Sequence, residues 1–243
     1  MYKIKNCYNF KKIKVIDIKI IKNILKGIMI IAFLISLYNI AISMKGYNDS
    51  KRIYQEVRDK KEKIDLYSIN SDYMGWINIK NTPIDYPIVK GNNNEFYLTR
   101  DFNKQYLATG SIFMDYRNEG FQDKNTVIYG HHMRDNSMFG SLKKYKDLDY
   151  LRKNKYIYIT TKDDERLIYE IFGVYVTSSD DTESITIKFN SEEEFSKYIE
   201  EIYKKSIYDL DIEVKSTDKI LTLSTCSYEF KNARLIIHAK LIK

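Results

Sequence analysis

The residues of this chain best suited to chemistry are a cysteine that closes one apolar run and an arginine that opens the next. Cys226 ends Ile220-Leu-Thr-Leu-Ser-Thr-Cys226, and Arg234 follows eight residues later in Ala-Arg-Leu-Ile-Ile-His-Ala. A sulfur nucleophile attacking a carbonyl needs a nearby cation for the charge that develops on oxygen, so a guanidinium on the adjacent strand suits acyl transfer. The pair also fits a small buried cysteine and an unrelated surface arginine. A histidine shifts the balance towards chemistry, because Tyr129-Gly-His131-His-Met133 places an imidazole at the end of another apolar run. His131 competes with His132, which should point the opposite way in a strand, and with His238, which alternation sets on the same face as Arg234. A metal site built from Cys226 and the histidines lacks any Cys-x-x-Cys or His-x-x-x-His spacing.

These residues need strands to hold them, and from residue 71 onward the pattern is mostly strand-like. Runs of β-branched and aromatic residues at 76–79, 84–89, 110–114, 126–129, 156–161, 167–176, 185–189, 220–226 and 234–241 are separated by Asn, Asp, Gly and Lys. Many short strands favour a sandwich or a closed barrel over a parallel sheet. Two helices should interrupt them, over residues 137–150 and after Ser191. The second opens on a capping box, Ser191-Glu-Glu-Glu194, followed by Phe195, Tyr198, Ile199, Ile202 and Tyr203 at the spacing of one helical face.

The chain has 243 residues and a net charge of +7. Lys3, Lys5, Lys11, Lys12, Lys14, Lys19, Lys22 and Lys26 against Asp17 account for that whole excess, so the rest is close to neutral and offers no basic surface for nucleic acid. Residues 27–44 carry no charge, and their length as a helix just matches a bilayer core. We expect a basic tail at 1–26 in the cytoplasm, a membrane helix at 27–44, a helical linker at 45–70, and a catalytic domain at 71–243 outside the cell. Cleavage near Ser43 is the alternative to an uncleaved anchor. The linker, with Ile53, Val57 and Ile64 as a narrow stripe, fits either a helix packed on the domain or a solvated stalk. Of the two cysteines, Cys7 reads as incidental, and Cys226, alone in an exported domain, reads as a thiol and not half of a disulfide.

Gly130-His131 after a strand, Thr-Leu-Ser-Thr-Cys226 and Arg234, taken in order, resemble the sortases, the cysteine transpeptidases of Gram-positive cell surfaces. Gly-Trp-Ile-Asn-Ile (75–79), Ile-Asp-Tyr-Pro-Ile-Val (84–89), Gly-Ser-Ile-Phe-Met-Asp (110–115) and Ser-Met-Phe-Gly-Ser-Leu (137–142) resemble class B in particular. The resemblance implies a mainly β fold, a closed eight-stranded barrel with N-terminal helices and a helix in the long connection before the cysteine strand. It implies Cys226 as nucleophile, His131 as its proton-transfer partner, and Arg234 as the group that binds substrate backbone or oxyanion. Asn94, Leu98 and Tyr129 resemble groove-lining positions. Ser224, on the same face as Cys226, and Thr225 beside it join them as substrate-binding candidates. Ser227 stands where many class B sortases carry an acid.

The implied reaction needs no metal or other cofactor. A secreted protein is cleaved after the threonine of a C-terminal sorting signal, of the Asn-Pro-x-Thr-x or Pro-x-Thr-Gly kind, and passes through a thioester to a peptidoglycan amine. A thiol hydrolase releasing the acyl group to water, and a catalytically silent surface-binding domain, remain the alternatives.

Overall fold

The computed structural model describes residues 18–243, so Cys7 and most of the basic tail lie outside the described residues. The chain divides into two units, Met1–Lys45 and Gly46–Lys243. In the first, the helix α1 (Ile18–Lys60) exposes nearly every side chain from Ile20 to Met44. Among the described residues it is the one helix long and apolar enough to cross a bilayer, its most apolar window having a mean hydropathy of 2.1.

In the second unit the end of α1 is no solvated stalk. Tyr54 and Val57 are buried, and the Tyr54 hydroxyl donates to the Gly110 carbonyl at 2.6 Å. Arg58 donates to the Asp85 carbonyl at 2.8 Å. Of the expected stripe, Val57 is buried and Ile53 packs on the core while Ile64 stays exposed; Tyr54, outside the stripe, is buried as well. A one-turn helix, α2 (Leu66–Ile69), leads into the barrel.

The barrel strands are β1 (Tyr73–Asn78), β2 (Asp85–Val89), β3 (Ile112–Met114), β4 (Asn125–Tyr129), β5 (Tyr156–Thr161), β6 (Arg166–Ser178), β7 (Ile220–Cys226) and β8 (Ala233–Leu241). They close in the order β1-β2-β3-β4-β7-β8-β6-β5. The β2–β3 and β4–β7 pairings are parallel and the others antiparallel. Alternation sends Ile77, Ile88, Ile128, Leu221, Leu223, Leu235 and Ile237 into one core. A parallel β4–β7 pair demands a long crossover, and that crossover holds β5, β6 and two helices, α3 (Leu148–Lys153) and α4 (Glu192–Lys205).

The helix α4 covers part of the outer barrel face. Phe195, Ile199 and Ile202 form a second core with Phe172, Ile220 and Ile236, while Tyr203 remains largely exposed. Ser191 Oγ accepts from the Glu194 amide as expected, but the Glu194 carboxylate reaches back to the Asn190 amide at 2.7 Å, not to the cap residue's own. Two other expectations change. Residues 185–189 form no strand; Ile187 is buried and Phe189 packs on Phe195 and Tyr198, so their apolar character serves α4. The helix expected over 137–150 divides into a 3-10 turn, Gly140–Lys146, and α3, because extended Asp147 caps α3 by accepting from the Tyr150 amide.

Candidate active site

The antiparallel register of β7 and β8 sets Cys226 directly opposite Arg234. Cross-strand partners share a face, and here Arg234 Nη1 donates to Cys226 Sγ at 2.6 Å. Both lie on the outer barrel face, in line with Ile220 and Ile236. At those two positions α4 seals the face; one residue pair beyond Ile236 the cover ends, and Cys226 and Arg234 are part-exposed.

His131 arrives by a parallel route. Tyr129 pairs with Ser224, and the Gly130 amide donates to the Ser224 carbonyl at 3.3 Å, which carries His131 to the level of Cys226. Gly130 has to be glycine for packing reasons: a Cβ there would lie 2.5 Å from Ile112 Cδ1 and 2.8 Å from the Phe139 ring. The His131 ring bonds to the Leu98 carbonyl through Nε2 at 2.7 Å. A carbonyl only accepts, so Nε2 carries the proton and Nδ1 is the nitrogen left for exchange. Gly110, at φ +57°, lets its loop press against Leu98, since a Cβ would fall 2.5 Å from that same carbonyl oxygen.

The other two histidines have different surroundings. His238 is fully buried beneath α4, with Tyr175 donating to its Nε2 at 2.9 Å and its Nδ1 at 2.9 Å from Thr222 Oγ1, which itself donates to Asn125. Burial pushes its pKa down to about 3, so it stays neutral. It lies four residues from Arg234 along β8, roughly 13 Å at strand spacing, and pairs with Thr222. It is a core histidine, which removes it as partner for Cys226. His132 is no free surface residue: its Nδ1 lies 2.7 Å from the Cys226 carbonyl oxygen, and its ring packs on Tyr228.

The remaining candidates separate into two kinds. Leu98 is exposed beside His131, with 38% of its surface accessible. Asn94 and Tyr129 converge on Asp115, donating to its Oδ2 at 3.0 and 2.9 Å, and Arg117 forms a fork on the same carboxylate. Burial alone would raise the Asp115 pKa, but these hydrogen bonds outweigh it and hold the group below the usual carboxylate range. Ser224 and Thr225 are buried, and Thr225 Oγ1 donates to the Gly130 carbonyl at 2.7 Å, tying β7 to the strand end that bears His131.

Sequence reasoning missed Asp115 as a hub, because its partners lie 14 and 21 residues away and no spacing rule joins them. It also missed Lys146, which donates to Ser227 Oγ at 3.1 Å and pairs with Glu229.

A sortase-domain family model matches residues 77–242. Sortase B of Listeria monocytogenes is 40% identical over 191 residues, 77% of this chain and 76% of the relative. Sortase B of Staphylococcus aureus is 36% identical over 181 residues, 73% of each. The crystal structure of sortase B from Bacillus anthracis is similar with a TM-score of 0.76 at 36% identity, covering 82% of this chain and 99% of that one.

Proposed function

Because this chain belongs to the sortase family, with class B sortases as its relatives, we propose that Cys226 is the nucleophile, His131 its proton-transfer partner and Arg234 its electrostatic clamp. The enzyme is a cysteine transpeptidase that anchors secreted proteins to the cell wall. The observation that carries the residue assignment is the 2.6 Å approach of Arg234 Nη1 to Cys226 Sγ, with His131 two residues beyond the end of the neighbouring strand β4.

His131 Nδ1 first takes the proton of the Cys226 thiol, leaving an imidazolium beside a thiolate, and the sulfur attacks the carbonyl of the signal threonine. Charge gathers on the carbonyl oxygen, and the permanent positive charge and donor fork of Arg234 hold it. When the oxyanion collapses, the carbon–nitrogen bond breaks and His131 Nδ1 gives the departing amine its proton. A thioester then joins the substrate to Cys226. An incoming amine passes its proton to His131 and expels the sulfur, which Arg234 receives again. Leu98 lines the substrate groove, with Asn94 and Tyr129 shaping it from their anchor on Asp115. Thr225 fixes the strand end behind His131, and Ser224 backs the cleft floor.

The sorting signal is of the Asn-Pro-x-Thr-x or Pro-x-Thr-Gly kind, and the acceptor is a peptidoglycan amine. Residues 27–44 span the membrane as an uncleaved anchor, with the lysine-rich tail in the cytoplasm and the barrel outside, as the one-sided charge supports. In intact cells a membrane-impermeant thiol reagent should label Cys226; labelling of Cys7 alone would reverse that topology.

The test of function is a panel of labelled signal peptides given to the detergent-solubilised chain with and without an added amine. Cleavage after threonine with amine-dependent product is expected. Release to water at the same rate regardless of amine would identify a hydrolase, and full function in Cys226→Ala a silent binding domain.

A further inference from the structure

We propose that His132 is a positioning residue that holds the Cys226 main chain, and so aims the sulfur, through its Nδ1–H. This rests on Cys226 being the nucleophile. The carbonyl of Cys226 can only accept, so the 2.7 Å contact requires the proton on His132 Nδ1. That donor is present whether the ring is neutral or protonated, so the clamp works at every pH at which the protein is folded.

The peptide after the nucleophile is gripped on both edges. His132 holds the Cys226 carbonyl, and the Ser227 amide donates to the Ala233 carbonyl at 2.8 Å. Lys146 fixes the following side chain by donating to Ser227 Oγ. With the backbone held on both sides of this peptide, rotation about the Cα–Cβ bond is the freedom left to the sulfur.

The histidine is itself well placed to hold something still. Its backbone bridges to Met138, which is fully buried and whose amide donates to the Tyr86 hydroxyl at 3.1 Å. The His131 carbonyl next door accepts from the Phe139 amide at 3.0 Å, so the chain leaving β4 folds back and is braced at two successive residues. On the open side the ring rests on Tyr228, with centroids 5.0 Å apart. The two adjacent histidines, just beyond the end of β4, therefore divide the work: one ring meets the Leu98 carbonyl and the other reaches the backbone of the nucleophile.

Asparagine places an amide donor close to the position of Nδ1, and glutamine places it nearer Nε2. Transfer by the full-length chain in detergent should therefore survive His132→Asn within about threefold, with an unchanged pH profile. His132→Gln should lose about 100-fold in kcat, the scale of a roughly 1 Å misplacement, with KM for the signal peptide little altered. Equal activity in both variants overturns the proposal. So does loss in both with one limb of the pH profile missing, which would make His132 a proton-transfer group. His131→Asn, run alongside, should be inactive at every pH. If it stays active the mechanism above fails, independently of the contrast between the two His132 variants.

Discussion

A single close contact organises the residue scale. The guanidinium of Arg234 touches the sulfur, and in the proposed mechanism the same group holds the charge on the sulfur and then that on the oxyanion. Lysine keeps the charge but loses the planar fork. Arg234→Lys should lower kcat by about 10²–10³-fold, as measured by steady-state transfer; activity within a fewfold of wild type would leave Arg234 without its clamp role. Asp115 acts at one remove. It is buried and receives Asn94, Tyr129 and Arg117. Asp115→Asn should destabilise the fold by about 1.5–3 kcal/mol in urea titration, the range for charged hydrogen bonds. The same substitution should raise KM for the signal peptide more than it lowers kcat. The meeting of Cys226 with Arg234 was legible because their two apolar runs read as successive strands with the residues at facing ends. The convergence of Asn94 and Tyr129 on Asp115, and the Lys146 contacts with Ser227 and Glu229, were not legible, since tertiary approach sets them.

At the scale of elements, the site depends on two strand ends brought level by a parallel pairing. Gly130 is the point where that arrangement is tightest, with no volume for a methyl group between Ile112 and Phe139. Gly130→Ala should displace the strand end carrying His131, reducing kcat by about 10²-fold while costing about 1–3 kcal/mol of stability. A variant that unfolds less easily than wild type would contradict this account of the glycine. The sequence periodicity identified eight of the strands correctly and added a ninth at 185–189, because apolar residues that cushion a helix look the same in one dimension as a short strand. The division of 137–150 was likewise hidden, although Asp147 was a readable cap. Tyr54 escaped the linker stripe because its hydroxyl needs Gly110, 56 residues on.

At the scale of the molecule, the barrel and α4 enclose a neutral histidine that shapes stability against pH. His238 has a folded pKa of about 3, lowered by burial, against about 6.5 unfolded. Above pH about 6.5 neither state binds the proton and the full stability is present. As pH falls towards 3 the unfolded chain takes the proton first, and stability declines by about 1.4 kcal/mol per pH unit. Lys205, which also lowers the pKa, and Asp181, which opposes it, are the nearby charges. Urea midpoints of His238→Gln should fall less between pH 6.5 and 5 than those of the wild type; parallel declines would assign the loss to other groups. The barrel as such could not be read from periodicity, which left sandwich and barrel open; ordered motifs decided it. The central claim, that Cys226 carries the acyl group, is tested most directly by mass spectrometry of the full-length chain quenched during turnover with a threonine-containing signal peptide. One thioester on Cys226, cut after threonine and discharged by added amine, is expected. An adduct on any other residue, or cleavage at full rate in Cys226→Ala, would contradict it.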